Sequence, residues 1–159
     1  MQAKERIMKP STRLPLIRRF IGGAALALAM AAGAQAHDAL VKFNSARGFD
    51  ETVTHLRQGL VEQGMTIFAE IDHAGAAKAA GLAMPPAKVL IFGNPKAGTP
   101  LMLAAPDVAL DLPLRVLVRE QDGRVEVLMH PMANLGLPAG LQGRLAPVIE
   151  LVGKRVAQK

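Results

Sequence analysis

Four consecutive apolar residues, Val89-Leu90-Ile91-Phe92, run into Gly93-Asn94-Pro95-Lys96-Ala97-Gly98-Thr99-Pro100-Leu101-Met102, and this stretch restricts the fold more than any other. A short unbroken apolar run bounded by turn residues reads as a central strand, here expected to be covered on both faces. Two glycines and two prolines then predict a tight loop. Thr99 followed by Pro100 predicts a new helix, with the hydroxyl as N-cap and the proline at the first helical position. The free N–H groups of such a helix start, with Lys96 three residues upstream, would suit a small anion or a ligand carboxylate. Gly93 and Gly98 have the four-residue separation of a phosphate loop. The Lys-Ser/Thr pair that motif needs after its second glycine is replaced by Thr99-Pro100, so a nucleoside triphosphate site is rejected.

The apolar and turn signals elsewhere place the other elements. Leu40–Phe43 reads as a strand. Phe49, Val53, Leu56 and Leu60 have helical spacing between Gly48 and Gly64, with His55 off that stripe and expected to be solvated. Thr66–Ile71 reads as a strand with Ile67, Ala69 and Ile71 on one face. Asp72 caps a short alanine-rich helix that ends at Gly81, with His73 at its first position, where the helix end favours a neutral imidazole. Asp107–Pro113 reads as a connector. Leu114–Arg119 and Arg124–Met129 form a hairpin around Asp122-Gly123. Leu145, Val148, Ile149, Val152 and Val156 mark a closing helix. This order favours an α+β class: a two-layer sandwich, mostly antiparallel, with helices packed on one face. The other face needs cover, which a homodimer would provide.

The N-terminus reads as an export signal. Arg13, Arg18 and Arg19 precede a short apolar run from Phe20 to Met30, and Ala34-Gln35-Ala36 fits the small-x-small cleavage rule. Residues 1–36 are therefore expected to be a signal peptide and 37–159 a single α+β domain, periplasmic or secreted, with His37 as the mature N-terminus. Arg18-Arg19 raises a twin-arginine route. Phe20 directly after the pair, with no Ser/Thr before it, favours ordinary export, and Met8 is an alternative start. Six basic residues against Glu5 lie in the signal, so only +1 of the chain's +6 remains for the domain. With no basic run, tyrosine or tryptophan, nucleic-acid binding has little support. The sequence holds no cysteine, and Ser45 is the only serine after residue 36, which argues against thiol, thiolate-metal and serine-nucleophile chemistry.

Phe92-Gly93-Asn94-Pro95-Lys96-Ala97-Gly98-Thr99-Pro100-Leu101-Met102 resembles the signature of the family called domain of unknown function 302. Ile71-Asp72-His73, Gly81-Leu82 and Asp111-Leu112-Pro113-Leu114 are similar to that family in order and spacing, from about Val41 to the C-terminus. The resemblance implies a small two-layer α+β domain, dimeric, with no activity settled. Relatives often carry a Tyr-Asn-Asp-Pro-like stretch after the last strand. This chain has Met129-His130-Pro131-Met132 there, so a role for that tyrosine does not carry over.

Three functions are compatible with these residues. The first is a small-ligand or partner-binding module, with Asp72, His73, Asn94, Lys96 and Thr99 as ligand-facing groups and a pocket lined by Phe92 and Met102. The second is non-covalent haem or copper binding through His130 and Met132, with His73 or His37 in support, because imidazole and thioether suit those metals. The third is an enzyme drawing acid–base groups from Asp72, His73, Lys96, Asp111 and His130, should they converge.

Overall fold

The computed structural model describes residues 40–158, and the expectations for the export signal and His37 lie outside them. Five strands, β1 (Val41–Ser45), β2 (Thr66–Asp72), β3 (Ala87–Gly93), β4 (Leu114–Gln121) and β5 (Arg124–Met129), form one sheet in the order β1-β5-β4-β3-β2. All four pairings are antiparallel, so β1 and β2 run in the same direction on opposite edges. Helix α1 (Phe49–Glu62) joins them across one face, and α5 (Ala146–Ala157) lies beside it against β1. The fold is a two-layer α+β sandwich, as the element order predicts.

Helix α1 starts where Gly48 is extended, carries Asp50 and Glu51 in its first turn, and ends before Gly64 at φ +75°. Its Val53, Leu56 and Leu60 face Leu90, Phe92, Val116, Val118 and Val127 of the sheet, within one core that α5 completes with Val148, Val152 and Val156. Burying each such aliphatic side chain contributes about 1.5–3 kcal/mol. The two helices are tied at their crossing: Arg155 lies over Gly59 and reaches Glu62 at 2.5 Å, and Arg47 donates to the Gln158 carbonyl. The β4–β5 turn carries Asp122 at φ 53° and Gly123 at φ 71°, the left-handed pair its sequence demands.

Three expectations are corrected. Helix α3 spans Pro95–Ala104, so it starts well before Thr99, and Pro100 lies inside it. Asn94-Pro95 is itself a cap-plus-proline signal, and it supersedes Thr99-Pro100 because its side chain finds a donor: Asn94 Oδ1 accepts from the Lys96 N–H at 2.9 Å. Second, Ile67, Ala69 and Ile71 do not share a face. A bulge between Ile67 and Ala69 leaves Ile67 opposite Phe92 but moves Ala69 and Ile71 opposite Ile91 and Val89. Third, β3 is not covered equally on both faces. Leu90 and Phe92 are fully buried under the helices, whereas Val89 and Ile91 are half-buried on the other side. A 3-10 helix (Pro106–Leu110) occupies the predicted connector. A second (Met132–Asn134) and a short α4 (Ala139–Gln142), neither anticipated, lead into α5.

Candidate functional site

Side chains alternate across a sheet, so the register identifies what the open face, the one away from α1 and α5, presents. One row crosses all five strands: Lys42, Leu128, Leu117, Val89 and Ile71. At the ~4.8 Å strand spacing its four intervals span about 19 Å. On one side lies the row Asn44, Glu126, Arg119, Ala87, and on the other Arg115, Ile91, Ala69. Arg124 precedes Glu126 by two residues on β5 and shares its face. Among the helices, α2 (His73–Ala79) lies against β3 and buries none of its own residues.

Charge is unevenly shared between the two layers. Residues 40–158 hold twelve Lys or Arg and eleven Asp or Glu. The open face alone holds Lys42, Arg115, Arg119 and Arg124 against one carboxylate, Glu126. That carboxylate is 8% exposed, and it accepts from Lys42 Nζ at 2.5 Å and Arg119 Nη2 at 2.9 Å. These two hydrogen bonds outweigh burial and hold its pKa below the ordinary glutamate range. Among the described residues, no ion pair engages Arg115 or Arg124, and both are exposed.

The β2 bulge adds an aromatic to this face. Phe68 is 53% exposed, and its ring runs alongside Gly93: a Cβ built there would lie 3.5 Å from Phe68 Cε2 and 3.6 Å from Pro113 Cβ. These are ordinary van der Waals separations, so the ring rests beside the Gly93 backbone without requiring a glycine there. Ile71, 43% exposed, stands on the same strand.

The residues singled out from the sequence are distributed elsewhere. Asp72 caps α2, accepting from the Gly75 N–H at 2.8 Å, with His73 exposed beside it. Asn94 caps α3 and donates to the Gly64 carbonyl at 3.2 Å, so it ties the α1–β2 turn to the end of β3. Asp72 pairs with Lys88 at one end of the β2–β3 ladder and Thr66 with Gly93 at the other. At about 3.3 Å per residue the two groups stand roughly 20 Å apart. Asp72 and His73 thus do not converge with Asn94, Lys96 and Thr99. The side chains expected to line one pocket are divided: Phe92 is fully buried in the core, Met102 packs against the core, and Lys96 and Thr99 are exposed on α3. Asp111 accepts from the Gly136 N–H at 3.0 Å, which fixes a turn.

His130 and Met132 diverge. His130 is exposed, whereas Met132 is a core residue in the same buried cluster as Leu135 and Leu137, where its apolar length suits it. Among the described residues, no three His, Asp or Glu side chains cluster as a metal-holding group. His55 is half-buried rather than solvated, with Nε2 enclosed and unpartnered among the described residues. A cavity of about 610 Å³ lies at the other end of β1, where Arg47, Phe49, Glu120 and Arg124 line it.

Residues 41–158 match the family Domain of unknown function DUF302. The chain belongs to this family. A crystal structure of an uncharacterized conserved DUF302 protein from Bacillus stearothermophilus has a similar fold (TM-score 0.66, 18% identity), covering 74% of this chain and 94% of that one. The DUF302 chain is also similar to two proteins named Fluoride-specific ion channel FluC 1, from Brucella suis and Brucella abortus, at 41% identity over 97 residues. Those residues are 60% of this chain but only 38% and 36% of the two relatives, so it spans under two-fifths of their length. No helix among the described residues is long and apolar enough to cross a membrane.

Proposed function

We propose that this DUF302 domain is a binding module whose contact surface is the open face of its sheet. The observation that carries this reading is the row Leu128, Leu117, Val89 and Ile71, apolar across four strands on the side away from α1 and α5. Within the row Leu117 and Val89 are half-buried, Ile71 is exposed and Leu128 is buried, Lys42, Arg115 and Arg119 flank it, and apolar surface left in reach of solvent within a polar rim is the ordinary signature of a docking site. In the same proposal the domain is exported, acts in the periplasm, and forms a homodimer. Pairing would use the β2 edge rather than the open face, because four cations against one carboxylate on each copy would oppose one another. Light scattering on the purified protein should give the dimer mass, and a monomer at micromolar concentration would remove that part.

The surface itself is tested by placing a photo-cross-linkable residue at Leu117 in cells, with Glu150 on the helical side as the control. Adducts should form from Leu117 and not from Glu150. Equal yields at both positions would sink the reading.

A second reading is favoured by the FluC relatives, in which a DUF302-like stretch shares a chain with other sequence. The module would then serve a fluoride channel, and deleting it should lower the fluoride concentration that cells tolerate. Unchanged tolerance argues against it.

A further inference from the structure

We propose that the open sheet face docks on an anionic lipid bilayer. This rests on the reading that the face is the contact surface, and names what it contacts. Three observations carry it. First, the face gathers four cations against Glu126 while residues 40–158 as a whole carry only one excess positive charge, so the remaining surface is net negative and the domain has a defined electrostatic orientation. A bilayer rich in anionic headgroups would attract this side and repel the other.

Second, the surplus is delocalised. Lys42 and Arg119 already share Glu126, and Arg115 and Arg124 stand apart from each other on different strands. Matched carboxylates on a folded partner would need fixed geometry, whereas a fluid layer of headgroups supplies charge wherever the cations happen to be. A second copy on this face is disfavoured by like charge.

Third, the exposed apolar groups on this face, Phe68 and Ile71, lie on the edge strand β2, clear of the cations on β1, β4 and β5. One flat approach therefore brings an aromatic wedge to the acyl boundary while the cations stay among headgroups. Peripheral binding draws on both terms, apolar insertion and attraction to anionic lipid.

The test uses the protein purified from cells in the form they make it, so that every variant shares the same N-terminus. Sedimentation is measured with vesicles of phosphatidylcholine containing about 30% phosphatidylglycerol, and with phosphatidylcholine alone, at about 0.1 M salt. Each basic residue held near an anionic surface raises partitioning roughly fivefold. The double variant Arg115→Glu/Arg124→Glu should therefore lose at least about tenfold, and Phe68→Ser several-fold. The charge-matched double variant Arg144→Glu/Lys154→Glu, on the far side, should stay within about twofold. Wild-type binding should fall with added salt and be absent on neutral vesicles.

Urea midpoints and circular dichroism confirm that each variant is folded. No binding to anionic vesicles, or equal losses in both double variants, overturns the inference. Photo-adducts from Leu117 to a soluble protein or a second copy, without vesicle binding, would overturn it while leaving the binding-module reading intact.

Discussion

At the scale of single residues, the contact between Gly153 and Phe43 shows how the layers are locked together. Gly153 on α5 sits where Phe43 of β1 fills the space a side chain would need: a Cβ would lie 2.8 Å from Phe43 Cε1. Gly153→Ala should therefore destabilise by about 1–3 kcal/mol, measured as a lower urea midpoint with unchanged slope. Glu126 makes a pH prediction. Lys42 and Arg119 hold its folded pKa below the ordinary value, so its contribution is complete above about 4.3 and lost as pH falls through the folded value. In Glu126→Gln the urea midpoint should be lower near neutrality and flatter through the acid range than in the wild type. Parallel acid limbs would show that Lys42 and Arg119 do not stabilise the carboxylate.

At the scale of elements, the beginning of α3 decides what the family's signature stretch does. Its conspicuous side chains are the cap Asn94, the first-turn Lys96 and the mid-helix Thr99. Asn94→Ala removes both the cap and the tether to Gly64 and should cost about 1–2 kcal/mol. Lys96→Ala and Thr99→Ala, both exposed, should stay within about 0.5 kcal/mol. Thermal melts of the three variants separate this structural role from a ligand site, which would leave Asn94→Ala stable. The strands show the same division. The 124–129 strand and its turn were legible because Asp122-Gly123 specifies a two-residue turn and Val125, Val127 and Met129 alternate inward. The bulge at Phe68 was not, because Thr66–Ile71 alternates just as well without it. Only the pairing with β3 shows which of two faces Ala69 and Ile71 take.

For the whole molecule, the two faces of one sheet differ in what they contribute. Phe92→Ala, on the helix-covered face, should cost about 3–5 kcal/mol. Leu117→Ala, half-buried on the open face, should cost roughly 1 kcal/mol or less, since little cavity forms where solvent can enter. Urea unfolding of both variants checks the contrast, and comparable losses would mean that the open face is packed as tightly as the core. Leu117, Val89 and Ile71, apolar across three strands yet far less buried than the core, are what the proposed contact surface requires.

The sequence by itself determined the α+β class, the positions of the strands and long helices, and the hairpin register, because period-2 and period-3.6 apolar spacing and left-handed turn residues act over short stretches of chain. It also carried the family signature, which is a property of order and spacing. Only the tertiary structure decided that Asp72 and Asn94 lie at opposite ends of a ladder, that Met132 turns into the core while His130 turns out, and that Lys42, Arg115, Arg119 and Arg124 gather on one face. Lys42 and Arg124 are 82 positions apart in the chain (124 − 42), and the proximity of such residues depends on which edge each strand joins. Strand order is set by the packing of all five strands against α1 and α5 together, a long-range outcome that no local pattern encodes.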